Sequence, residues 1–173
     1  MARLLLTLII ISLAISQSSS QGSLPSSTTT PTLINAAAQE YLDAHNSARA
    51  EVGVQPLNWS VTLKNTARLI VLYQRDKNNC KFANLSGRKY GANQSWNGGT
   101  QQSPQEVVLT WVSEKKNYTY ANNSCLDDKC GLYKQVVWKK SLELGCAQAS
   151  CADSTLTICF YNPPGNIVGE KPY

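Results

Sequence analysis

The sequence predicts an α+β domain. Apolar residues recur at helical spacing between positions 38 and 112, whereas positions 142–161 hold two apolar runs separated by a polar turn. Helices followed by antiparallel strands pack as layers around one core. Six cysteines, spread from position 80 to position 159, predict a disulfide framework for that layered domain.

Arg3 precedes an apolar run from Leu4 to Ile15, too short to cross a bilayer as a helix. Ala14-Ile15-Ser16 supplies the small residues that a signal peptidase needs, and Ser18-Ser19-Ser20 allows cleavage slightly later. Residues 1–16 therefore read as a secretory signal peptide, and the mature chain is expected outside the cell. Positions 17–32 are Ser, Thr, Pro and Gln with little to bury, so a flexible lead-in is expected. From 33 to 173 the composition is that of one globular domain without repeats.

Ala38, Tyr41, Leu42, His45 and Ala48 share one face of a first helix, which puts His45 on its apolar side. Leu63, Ala67, Ile70 and Val71 mark a second helix with Ser60 as its cap. The third carries the strongest start signal: Ser103-Pro104-Gln105-Glu106 joins an N-cap serine, a first-turn proline and the glutamate of a capping box. Val107, Val108, Trp111 and Val112 form its buried stripe, and Glu114 follows. Leu142–Gln148 and Leu156–Tyr161 read as strands around an Ala152-Asp153-Ser154 turn, and Asn93–Trp96 as a further one. Tyr133–Trp138 fits neither period cleanly.

The whole chain carries a net charge of +5, and loss of Arg3 with the signal leaves +4. That balance favours acidic wall polymers or anionic membrane surfaces, and no basic block is long enough for nucleic acid. Cys80, Cys125, Cys130, Cys146, Cys151 and Cys159 allow fifteen pairings. Zinc ligation is the weaker use of these sulfurs, because the chain has one His and no paired Cys-x-x-Cys spacing. Asn-x-Ser/Thr sequons begin at Asn58, Asn84, Asn93, Asn117 and Asn122, all candidate glycan acceptors.

Gly131-Leu132-Tyr133-Lys134-Gln135-Val136-Val137-Trp138 resembles the Gly-His-Tyr-Thr-Gln-Val-Val-Trp signature of plant pathogenesis-related protein 1, a branch of the CAP superfamily. Ala44-His45-Asn46 with Ala48-Arg49, Trp111-Val112-Ser113-Glu114-Lys115 and Tyr161-Asn162-Pro163-Pro164-Gly165-Asn166 match further motifs, so the resemblance covers about Ala38 to Tyr173. It implies a three-layer α-β-α sandwich, a short helix at 133–138, and the bridges Cys80–Cys146, Cys125–Cys130 and Cys151–Cys159. It also implies a cleft built from two His and two Glu that can hold a divalent metal. Here His45 and Glu114 remain, while Ala92 and Leu132 occupy the other two positions. Two ligands are too few for a metal site, so no cofactor is expected; a hydrogen-bonded His45–Glu114 pair is the simpler reading.

Two further features follow from the resemblance. Tyr118 and Tyr120 fall in a segment implicated in binding sterols and other apolar lipids, and a tyrosine offers both a flat apolar ring and a polar end. Residues 163–173 correspond to a C-terminal segment that a processing protease can release as an immune-signalling peptide, although Phe160 departs from the cleavage motif. The expectation is thus a secreted, apoplastic, monomeric defence or stress protein that binds rather than catalyses. A weak hydrolase using His45 and Glu114 and an inert glycoprotein scaffold recognised by a protein partner are the alternatives.

Overall fold

The computed structural model describes residues 34–99 and 101–173; the expected signal peptide and the 17–32 lead-in lie outside them. The expected elements are present, in the order α1 (Ala36–Ala50), β1 (Asn58–Trp59), α2 (Val61–Asn78), β2 (Gly91–Gly98), α3 (Pro104–Val112), β3 (Tyr118–Thr119), β4 (Ser124–Cys125), α4 (Gly131–Val136), β5 (Glu143–Ser150) and β6 (Ser154–Asn162). Local chemistry explains the helix starts. Ser60 Oγ accepts Leu63 N–H, and Ser103 and Glu106 close the predicted capping box reciprocally. α2 stops at Asn79, which adopts a left-handed conformation (φ 47°).

The main sheet runs β1-β5-β6-β2, with β1 parallel to β5 and the other pairs antiparallel. Alternation along β6 separates two cores. Leu156, Ile158 and Phe160 face α2 with Leu63, Ala67 and Val71. Cys159 and Tyr161 face the opposite layer, with Tyr41, Val108, Trp111 and Tyr133. The expected α-β-α sandwich is therefore the observed one. Gly145 permits its closeness: a Cβ there would collide with the α2 backbone at Leu63 and Lys64.

Three disulfides are present, but two of the implied pairings are corrected. The bridges are Cys80–Cys151, Cys125–Cys130 and Cys146–Cys159. The reason is strand register. Cys146 stands directly opposite Cys159 in the β5–β6 ladder, with Cα atoms 4.0 Å apart, so these two sulfurs meet on one face. Cys80, just beyond α2, instead reaches Cys151 at the end of β5, across a Cα separation of 6.1 Å. Its 71-residue span still closes a long loop, a constraint of about 4 kcal/mol in the chain-entropy account.

Candidate functional site

His45 is fully buried, and both ring nitrogens are engaged. Nδ1 lies 2.7 Å from Tyr41 O, one turn back on α1, and a carbonyl only accepts, so Nδ1 carries the proton. Nε2 therefore accepts, and the Tyr161 hydroxyl of β6 donates to it at 2.8 Å. Tyr161 in turn accepts from Asn93 Nδ2 at 3.3 Å, and the same amide donates to Leu132 O at 3.0 Å. One relay thus ties α1, β6, β2 and α4 through groups whose donor directions are set by its two carbonyl ends.

Burial dominates the electrostatics of this relay. Desolvation, opposed by the Tyr41 carbonyl and helped by the Arg49 charge, lowers the His45 pKa from 6.5 to about 4. The imidazole is neutral at physiological pH. Burial likewise pushes the Tyr161 hydroxyl well above its ordinary value, so the relay holds its protons.

The expected His45–Glu114 hydrogen bond gives way to separate partners. Glu114 Oε2 accepts the backbone N–H groups of Leu132 (2.9 Å) and Tyr133 (3.3 Å), at the start of α4. It is a capping carboxylate that satisfies amides a short helix would otherwise leave bare. Leu132 packs against the core on the α1 side and Ala92 against the core beneath α2. Neither has a donor atom for a metal, while His45 spends both ring nitrogens and Glu114 its Oε2 on the protein. The four positions do not fit a divalent cation. Among the described residues, no three His, Cys, Asp or Glu side chains gather as a metal site.

Arg49, quoted above only as part of a motif, is a buried cation surrounded by carbonyls. Its Nε donates to Gln55 O (2.8 Å), Nη1 to Val136 O (3.1 Å) and Trp138 O (2.8 Å), and Nη2 to Ser141 O (3.0 Å). Burial lowers its pKa to about 10, which leaves it charged at neutral pH. It closes the C-terminal end of α4 much as Glu114 closes the other end. The i+4 spacing of His45 and Arg49 places both on one helix face, the only hint of this role in the sequence.

Tyr118 and Tyr120 meet in an aromatic cluster with Tyr133 and Tyr173. The Tyr120 and Tyr173 rings stack at 4.9 Å with 10° between planes, and the Tyr118 ring stands 6.1–6.2 Å from those of Tyr133 and Tyr173. Tyr118 donates its hydroxyl to Asn123 Oδ1 at 3.0 Å, and Tyr120 remains 45% exposed. Cationic side chains sit on this surface, Lys171 over Tyr120 and Lys134 over Tyr118.

Residues 163–173 are tied to the domain along their length. Gly165 N–H donates to Gln135 Oε1 (3.0 Å), Asn166 to Gly131 O (2.9 Å) and Lys139 N–H to Pro172 O (2.7 Å), while Lys140 pairs with Glu170 (2.7 Å). A Cβ at Gly165 would stand 2.7 Å from the Trp138 ring, so only glycine lets the chain pass there. Val168, 99% exposed, forms the free crest.

The sequons divide by burial. Asn58, Asn84 and Asn122 are exposed, and Asn117 is half-buried with Nδ2 donated to Lys129 O (2.8 Å). Asn93 is corrected as a glycan acceptor: it is 1% exposed, and its Nδ2 serves the His45 relay.

Residues 42–161 match the cysteine-rich secretory protein (CAP) family. The chain belongs to that family. It is 64% identical over 140 residues to the STS14 protein of Solanum tuberosum, covering 79% of this chain and 65% of that protein. It thus spans slightly less than two thirds of that relative. It is 45% identical to pathogenesis-related protein 1 of Arabidopsis thaliana, over 78% of this chain and 81% of that one. Among solved structures, the Schistosoma mansoni venom allergen-like protein 4 shares the fold at a TM-score of 0.61 and 24% identity, over 81% of this chain and 95% of that one. NaASP2, solved with Zn2+, aligns at a TM-score of 0.63 and 18% identity, over 83% and 88% respectively. The CAP domain here keeps that architecture with a sealed histidine at its centre.

Proposed function

We propose that this CAP protein serves in defence or stress response outside the cell, by binding rather than by catalysis. The closure of His45 carries the reading. A fully buried imidazole whose two nitrogens are bonded to Tyr41 and Tyr161 has no lone pair or proton to offer a solvent-borne substrate. The relatives' designation as pathogenesis-related proteins supports the defence role.

Sterol or another apolar lipid is the proposed ligand, and the tyrosine cluster its place. Tyr173 lies flat on Tyr120, and a planar apolar molecule taking its position would meet the same ring face. The Tyr118 hydroxyl at the edge suits a polar end, and Lys134 and Lys171 suit an anionic lipid surface. In this account residues 163–173 act as a movable cover, and liberation of that segment by a processing protease would require unseating the same contacts.

Saturable binding of a labelled sterol to the secreted, glycosylated protein tests the reading, with unlabelled sterol as competitor. Tyr118→Ala with Tyr120→Ala is expected to weaken it at least about tenfold through loss of aromatic contact. Absence of saturable binding by folded, fully disulfide-bonded protein would overturn the lipid assignment.

A further inference from the structure

Three of the four exposed aromatic side chains among the described residues lie together, away from the tyrosine cluster: Tyr73, Phe82 and Trp96, at 60%, 59% and 50% exposure. They line two open grooves beside α2, of about 630 and 570 Å³, which share Lys81 and Phe82 as a common wall. Tyr73 stands in the first groove and Trp96 in the second. Single exposed aromatics need no explanation, but a group of them around shared grooves does.

The backbone beneath this group is clamped. Gln74, itself buried on α2, donates its amide to both Lys81 O (2.7 Å) and Phe82 O (3.1 Å). Ala83 and Gln94 exchange two hydrogen bonds at 3.0 Å, and the Cys80–Cys151 bridge holds the preceding residue. Trp96 lies back over Gly98, where a Cβ would stand 3.1 Å from the indole. The rings are therefore presented to solvent by fixed main chain, and a ligand need not order the backbone beneath them.

Charge selects the ligand. Lys81 and Arg88 line the grooves, and among the described lining residues there is no carboxylate. Asn78, Asn79 and Asn84 line the same grooves, so the surface combines flat apolar faces with polar and cationic groups. Such a surface fits a chain of sugar rings better than a continuous apolar protein interface: pyranose C–H faces lie on aromatic rings, and hydroxyls meet amides. Cations then favour sugars that carry carboxylates.

We infer that the Tyr73–Phe82–Trp96 surface binds an acidic polysaccharide, its sugar rings on the aromatics and its carboxylates on Lys81 and Arg88. This site is independent of the lipid surface, and the two stand or fall separately.

The test uses the Asn84→Gln protein, so that no glycan of the chain's own competes at the groove. Its affinity for a homogalacturonan oligomer is measured against a neutral cello-oligosaccharide and against polyglutamate, across a salt series. The expected result is binding to the acidic sugar at least about tenfold tighter than to either control. Lys81→Gln with Arg88→Gln should flatten the salt dependence, whereas Phe82→Ala with Trp96→Ala should weaken binding about tenfold at every salt concentration and leave the slope unchanged. Equal binding of polyglutamate, equal binding of the neutral sugar, or unaltered binding by both double variants would each overturn the proposal. Hydrogen exchange on the Asn84→Gln parent supplies a readout independent of variant folding. Protection by the acidic oligomer within residues 69–96 is expected, and protection confined elsewhere would contradict the assignment.

Discussion

Glu114 grips the backbone amide of Leu132 at 2.9 Å, so the acid that the family resemblance casts as a metal ligand instead holds the residue standing in the histidine position. Its second bond, to Tyr133 N–H, makes it the anionic cap of α4. The carboxylate is occupied with keeping the short helix in place, and that occupation is structural.

Glu114→Gln should accordingly lower stability by about 1 kcal/mol, within the range measured for lost caps. Denaturant unfolding is the check. Zinc should not change the midpoint of either protein, because both His45 nitrogens are bonded within the chain and one carboxylate alone cannot hold the ion.

Acid should destabilise the protein through its one histidine. The pKa of His45 is 6.5 when exposed and about 4 in the folded state, so between those values the unfolded chain binds a proton that the folded chain refuses. The stabilisation is fully present above pH 6.5 and is lost progressively down to pH 4, amounting to about 3 kcal/mol. Tyr41 and Tyr161, bonded to the ring, stay neutral throughout this window, and Arg49 stays charged. His45→Gln should flatten this part of the stability profile, as measured by urea unfolding at a series of pH values.

Arg49→Met should be the most damaging single change to the fold. It preserves much of the buried stem but strands the carbonyls of Gln55, Val136, Trp138 and Ser141. A loss of about 3 kcal/mol or more is expected, visible as a lower Tm and as faster hydrogen exchange across 136–141.

The folded protein should resist cleavage at the Asn162–Pro163 junction. The residues beyond it are held by Gln135, Gly131 and Lys139, and protease access requires that they first detach. Limited proteolysis should therefore leave the tail attached in buffer and release it in denaturant concentrations well below the global midpoint.

Local chemistry is legible in the sequence, and long-range connections are not. The start of α3 was legible, because Ser103, Pro104 and Glu106 act on amides within one turn. The strands around the 152–154 turn were, because alternation and turn chemistry are local. The disulfide pairing implied by resemblance failed at the one place where register decides, the opposition of Cys146 and Cys159 across β5 and β6. The site was legible as residues and illegible as connections. His45 finds Tyr161 at a separation of 116 positions, and Arg49 finds backbone carbonyls 87 to 92 positions away, groups that every residue carries and no motif marks. Asn93 read as a sequon because three letters cannot report burial.

The decisive measurement is sterol affinity, taken side by side for the unaltered protein, His45→Gln, and Tyr118→Ala with Tyr120→Ala. His45→Gln should bind within about twofold of the unaltered protein, while the tyrosine variant loses at least about tenfold. Retained affinity in the tyrosine variant together with loss in His45→Gln would place the working site at the sealed histidine instead of the tyrosine cluster.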